Sequence, residues 1–116
     1  MADKRKVTVI GGGVGGYPAA IKAARMGAAV TLIERDLLGG TCLNRGCIPT
    51  KALLQAAEVV QTIGEAPLFG IRCDNYSIDF KAVANRKDAV VQQLREGVGT
   101  LLKRRRIKVV CGTAFF

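Results

Sequence analysis

Lys6 to Glu34 reads KVTVIGGGVGGYPAAIKAARMGAAVTLIE, and the order of residue types in this stretch decides the fold. Lys6 to Ile10 is β-branched and apolar and is closed by glycines, which predicts a short buried strand. Gly11, Gly13 and Gly16 fit the pattern G-x-G-x-x-G, and an alanine-rich helical run follows from Tyr17 to Met26, closed by Gly27. Ala29 to Ile33 predicts a second strand, which ends in Glu34. Strand, glycine turn, helix, strand and acid in this order form a dinucleotide-binding unit. The first glycine allows the tight turn, the second lets a pyrophosphate approach the backbone, and the third lets helix pack closely on strand. The pyrophosphate then sits on the helix N-terminus, and Glu34, 18 residues beyond Gly16, is placed for a ribose hydroxyl. Arg35 would suit a 2′-phosphate, but Glu34 holds the strand end, which favours the unphosphorylated ribose. Pro18 is tolerated because it falls in the first turn of the helix.

Working outward, Gly39 to Lys51 reads GGTCLNRGCIPTK and carries Cys42 and Cys47, five positions apart. Five residues of regular helix advance about 7.5 Å. A disulfide needs Cα atoms roughly 4.4–6.8 Å apart, so the turn must be distorted if the two cysteines are to bond. Gly46 between them and Pro49 just after supply that distortion. A helix starting here would aim its free N–H groups and positive dipole end at the thiols, which lowers a cysteine pKa and favours the reactive thiolate. Two ordinary buried cysteines are the alternative. Zinc is a poor competitor, because the chain has no histidine and no second paired-cysteine motif.

Lys51 to Ile63 continues as an amphipathic helix, and Gly64 to Asp79 is loop-like, broken by Gly64, Pro67, Gly70 and Asn75. Asp79 is placed to cap a long helix from Phe80 to Arg104, with apolar Val83, Val90, Val91, Leu94, Val98, Leu101 and Leu102 at helical spacing. Ile107 to Cys111 predicts a third strand, buried and parallel to the first two. Cys73 and Cys111 have no neighbouring thiol in sequence and are read as structural or incidental. The chain then stops at Gly112-Thr113-Ala114-Phe115-Phe116, directly after a strand, which suggests truncation.

The 116 residues amount to one domain, and 49% are hydrophobic, enough for a core. No stretch approaches the roughly 20 apolar residues of a membrane span, and MADKRK precedes only four apolar or β-branched residues, so no signal-peptide core is present. A cytoplasmic, thiol-reducing compartment follows as the expectation, where a close cysteine pair is catalytic or metal-binding more often than structural. The net charge of +9 owes much to Lys103-Arg104-Arg105-Arg106, which falls where a helix ends and where cations complement the dipole. With aromatics at only 5%, the stacking partners of a nucleic-acid reader are missing, so a solvated helix end is expected rather than a nucleic-acid patch. A small basic binding module would leave Gly11 to Gly16, Glu34 and the cysteine pair unexplained, and a bare NAD-binding domain would leave the cysteine pair incidental.

Taken together, the glycine turn, Glu34 and GGTCLNRGCIPTKALL resemble the N-terminal part of the pyridine nucleotide-disulfide oxidoreductases, flavoenzymes several-fold longer than this chain. Within the family the cysteine stretch is most similar to members that oxidise protein-bound dihydrolipoyl groups, with glutathione and mercuric reductases as the alternative. The resemblance implies an α/β, Rossmann-like FAD-binding segment over residues 1–116, with a parallel sheet flanked by helices, and with the NAD-binding and dimerisation domains outside the chain. It implies that Gly11, Gly13 and Gly16 hold the FAD pyrophosphate and that Glu34, beside Arg35, holds the adenosine ribose. Gly40, Thr41 and Cys42 would line the flavin side, Lys51 would approach the isoalloxazine, and the backbone of Ala114 would meet the adenine. Cys47 would be the charge-transfer thiolate beside the flavin and Cys42 the interchange thiol that meets the substrate, a lipoyl-bearing protein or small disulfide. Electrons would pass through the Cys42–Cys47 pair and FAD to NAD in a homodimer, whose catalytic histidine comes from outside this histidine-free chain. These residues alone are therefore expected to be inactive and to bind FAD weakly or not at all.

Overall fold

Val30 and Leu32 alternate along one side of the central strand and are buried at 5% and 0% exposure, and the hydrophobic core forms around them. The computed structural model describes residues 4–116. In chain order the elements are β1 (Lys6–Ile10), α1 (Gly16–Arg25), β2 (Ala29–Glu34), α2 (Gly40–Arg45), α3 (Cys47–Glu65), a 3₁₀ turn (Ala66–Phe69), α4 (Phe80–Arg104) and β3 (Lys108–Cys111). The sheet order is β1-β2-β3, all parallel, with Val9 opposite Leu32 and Leu32 opposite Val109. Parallel neighbours need crossover connections. The connection from β1 to β2 is α1, and that from β2 to β3 runs through α2, α3 and α4.

One face of the sheet is covered. Ala20 from α1, Leu43 from α2, and Val91, Val98 and Leu102 from α4 pack with Val30, Leu32 and Ile107. The opposite face carries no layer among the described residues, and this corrects the expectation of buried outer strands. In β1 only Val7 and Val9 are half-buried, while in β3 Val109 and Cys111 are exposed. Ile107, which is buried, lies one residue before β3. The open face accounts for Thr8 and Ile10 of β1, whereas Val109 shares the covered side with Leu32 by register and is exposed because β3 lies at the sheet edge.

Asp79 caps α4 as expected, its Oδ1 accepting from the Ala82 amide at 3.0 Å. The paired helices α3 and α4 carry the molecule to extents of 71 × 26 × 17 Å. The radius of gyration is 20.5 Å, against about 13 Å for a compact chain of this length. Arg86 of α4 bonds Gln55 of α3 at 3.0 Å along this arm.

The helix expected at the cysteine stretch starts at Cys47 itself. Its far end differs from the sequence reading: α3 continues through Gly64 to Glu65, so the expected loop starts only after the 3₁₀ turn. α2 was not foreseen at all, because its six residues are too few to show periodicity.

Candidate active site

The three glycines of the turn do three different jobs. Gly11 has φ of +95°, a conformation that suits glycine, and its amide donates to the Ile33 carbonyl at 2.7 Å. Gly16 opens α1, and a Cβ there would run into the carbonyl oxygen of Gly11. At Gly13 a Cβ would meet only the Gly40 Cα, at an ordinary 3.6 Å. The protein itself does not demand glycine at position 13. The open space above it is what a close-approaching pyrophosphate needs.

Glu34 closes the turn from the neighbouring strand. Its Oε2 accepts from the Gly12 amide at 2.7 Å and its Oε1 from the Asp36 amide at 2.9 Å. The Asp36 amide first, then the Gly12 amide, hold the Glu34 carboxyl below the usual glutamate range, against the opposing effect of burial. The folded-state pKa is thus depressed. The stabilisation from this carboxylate is fully present above the ordinary glutamate value of about 4.3 and is lost as pH falls below it. Thermal midpoints measured from pH 7 to pH 3 should fall more steeply for the native chain than for Glu34→Gln, and parallel curves would contradict this role.

Gly11, Gly13, Glu34, Arg35, Gly40, Thr41 and Ala114 line one groove of about 410 Å³ at the C-terminal end of the sheet. Seven residues expected to contact a cofactor thus meet in one place. A ligand-binding crevice at the carboxyl ends of parallel strands follows the general rule for such sheets. Asp36 and Arg45, paired at 2.8 Å, form its rim, and the Arg45 guanidinium holds the Asp36 carboxyl below its usual range. Gly16 supports the groove from beneath and does not line it. Lys51 lies outside it, on the exposed surface of α3, four residues after Cys47 and so on the same helix face.

α2 brings the cysteines to the glycine turn. The Gly39 amide donates to the Gly12 carbonyl at 2.8 Å, and a Cβ on Gly40 would lie 2.8 Å from the Gly13 Cα. Gly40 also has φ of +71°, so glycine is required there on two counts. Sequence reading missed this packing; the paired glycines before Thr41 were its only signal. Cys42 follows two residues later and is disulfide-bonded to Cys47, with Cα atoms 4.8 Å apart. The expected distortion falls at Gly46, with φ −128° and ψ −108°. It ends one helix and starts the next, so the cysteines lie on two helices rather than one.

The two sulfurs differ in setting. Cys47 is the first residue of α3, at the positive end of the helix dipole, and is exposed. Cys42 is half-buried and lines a second groove of about 620 Å³, with Val14, Tyr17, Ile48, Leu94 and Leu101. Leu94 and Leu101, expected in the core from their spacing, are instead 43% and 49% exposed in this groove. Cys73 and Cys111 are free and exposed, away from the pair in sequence and outside both grooves. Lys103 and Arg104 lie in the last turn of α4, and Lys103 to Arg106 are all exposed. No helix among the described residues is long and apolar enough to cross a membrane.

Comparison with known proteins agrees with this geometry. Residues 5–116 match the family model described as pyridine nucleotide-disulphide oxidoreductase. The chain is 48% identical over 112 residues to a dihydrolipoyl dehydrogenase of Bacillus subtilis, covering 97% of this chain and 24% of that protein. It is 50% identical over 113 residues to a dihydrolipoyl dehydrogenase of Chlamydia pneumoniae, with the same 97% and 24% coverage. A third, from Acholeplasma laidlawii, is 44% identical over 113 residues, covering 97% of this chain and 34% of the relative. The chain thus spans about a quarter to about a third of the length of these relatives. With a glycine cradle and a bonded cysteine pair held against it, and with a family model matched over residues 5–116, this chain belongs to the pyridine nucleotide-disulphide oxidoreductases.

Proposed function

We propose that this chain is the N-terminal part of the FAD-binding domain of a protein that oxidises dihydrolipoyl groups, and that the Cys42–Cys47 pair receives the electrons. The observation that carries the reading is the disulfide seated two residues from Gly40, where Gly40 packs on the glycine cradle. The first groove has the features that the adenosine diphosphate end of FAD requires. Gly13 leaves room for phosphate oxygens, the N-terminus of α1 points amides towards them, and Glu34 has lone pairs for ribose hydroxyls. Arg35, Thr41 and Ala114 border the same space, and Lys51 sits on the Cys47 face of α3.

Cys42 is the interchange thiol. A lipoyl group is an apolar chain ending in a dithiol, and the apolar groove beside Cys42 suits its approach. One lipoyl thiolate attacks the Cys42 sulfur, forming a mixed disulfide and releasing Cys47 as a thiolate. The second lipoyl thiol, once deprotonated, displaces the Cys42 sulfur, which closes the lipoyl disulfide and leaves Cys42 and Cys47 reduced. The dipole of α3 stabilises the thiolate at Cys47. Bound FAD supplies a two-electron acceptor, which in turn serves NAD. The proton acceptor for the lipoyl thiols comes from outside these residues, because the chain has no histidine. Homodimer formation by the whole protein would provide it from the partner subunit.

The test is turnover by the full-length protein. NAD reduction with dihydrolipoamide and a flavin absorbance spectrum are the expected results. Turnover with glutathione disulfide or mercuric ion in place of dihydrolipoamide would assign the chain to another branch of the family, and a protein without flavin would defeat the reading.

A further inference from the structure

Asn44 stands between the two cysteines, and its side chain is used on both sides. Its Nδ2 donates to the carbonyl oxygens of Leu38 and Gly40, each at 2.9 Å, and its Oδ1 accepts from Arg95 Nε at 2.8 Å. Arg95 belongs to α4, 51 residues further along the chain, and is half-buried. α2, which carries Cys42, has only six residues. So short a helix does not hold its shape in water without tertiary support. Gly46, immediately before Cys47, permits the backbone to pivot between α2 and α3. While the disulfide is closed, the covalent bond fixes the turn. Once it is reduced, the ties of Asn44 join the buried Leu43 and the Gly39–Gly12 hydrogen bond in keeping the Cys42 end of the turn in place.

We infer that Arg95 is a positioning residue that sets the redox poise of the Cys42–Cys47 pair by holding Asn44. An intramolecular disulfide forms in proportion to how often its two thiols stand within bonding distance, that is, to their effective concentration. A guanidinium hydrogen bond at 2.8 Å is charge-assisted and therefore stronger than a neutral one. It reaches Asn44 from the core-packed helix, in which Val91 and Val98 flank Arg95. The scaffold of α4 thereby restrains a turn that the local sequence leaves loose. The inference rests on the proposed redox role of the pair.

Equilibration of the full-length protein with glutathione buffers tests it. Two glutathione thiols convert the Cys42–Cys47 disulfide to the dithiol and become one glutathione disulfide, and trapping by alkylation gives the equilibrium constant. Arg95→Met keeps the aliphatic stem and removes the donor. It is expected to lower the constant for disulfide formation by roughly tenfold, the scale of one hydrogen bond to a charged group. Flavin content should stay near that of the native protein, while the thermal midpoint should fall by a few degrees in the disulfide form and by less in the dithiol form, because the lost bond counts most where the turn is closed. Arg86→Met, on the same helix but bonded to Gln55, removes the same charge and should stay within twofold. Combined with Asn44→Ala, Arg95→Met should add less than a further twofold. An unchanged constant in Arg95→Met, or an equal shift in Arg86→Met, would overturn the inference. So would a full tenfold effect of Arg95→Met in the Asn44→Ala background. If the native pair fails to equilibrate with glutathione at all, the redox reading of the cysteines falls first, and that result is separate from any difference among the variants.

Discussion

Gly16→Ala is expected to give a protein that has lost bound flavin together with much of its stability. The methyl group would occupy the place of the Gly11 carbonyl oxygen, and both partners are backbone, so no side chain can turn aside. Either α1 moves away from β1 or the glycine turn opens. Overpacking of a well-fitted site commonly costs about 1–3 kcal/mol and more when the backbone must shift. A domain stable by about 5–15 kcal/mol feels such a loss. The effect on the cofactor should be larger, because in the proposed reading the pyrophosphate sits on the N-terminus of α1. Gly15→Ala provides the control, since nothing lies within 4 Å of a Cβ there and its φ is −90°. Flavin absorbance per protein after gel filtration, with thermal midpoints, reads both effects. Full flavin and an unchanged midpoint in Gly16→Ala would contradict the account of the cradle.

Cys42→Ser and Cys47→Ser should each abolish dihydrolipoamide oxidation, by about a thousandfold or more, without removing flavin. A serine hydroxyl neither forms a disulfide nor ionises near neutral pH, so neither the exchange nor its resolution can proceed. Neither residue lines the groove assigned to the adenosine diphosphate end, so the cofactor should remain. The two variants also differ from each other. Cys47→Ser leaves Cys42 in its apolar groove, able to form a mixed disulfide with an activated lipoyl disulfide. Cys42→Ser leaves only Cys47, outside that groove, and should react with it more slowly. Turnover rates and mass-spectrometric detection of the adduct measure both. Reversed reactivities would exchange the roles of the two thiols.

Much of this was legible in the sequence because local chemistry and global structure agree here. The β-branched apolar runs, the glycine spacing and the position of Glu34 predict β1, α1 and β2 within one residue at each end. The N-cap at Asp79 and the bounds of α4 were equally plain. What was illegible depended on partners distant in the chain. Burial of the outer strands failed because apolar composition does not tell whether a second layer covers a face. Leu94 and Leu101 have the spacing of core residues, yet they line a groove and stay 43% and 49% exposed. The packing of Gly40 on Gly13 and the tie from Arg95 to Asn44 join residues 27 and 51 positions apart, which no local pattern encodes.

The central claim is that the cysteine pair and a bound flavin act as one electron store, and anaerobic reductive titration of the full-length protein measures it most directly. A disulfide and a flavin each accept two electrons, so the account predicts four electrons per flavin, falling to two in Cys42→Ser and Cys47→Ser. Uptake of only two electrons by the unmodified protein, with the disulfide still intact at the end point, would contradict it.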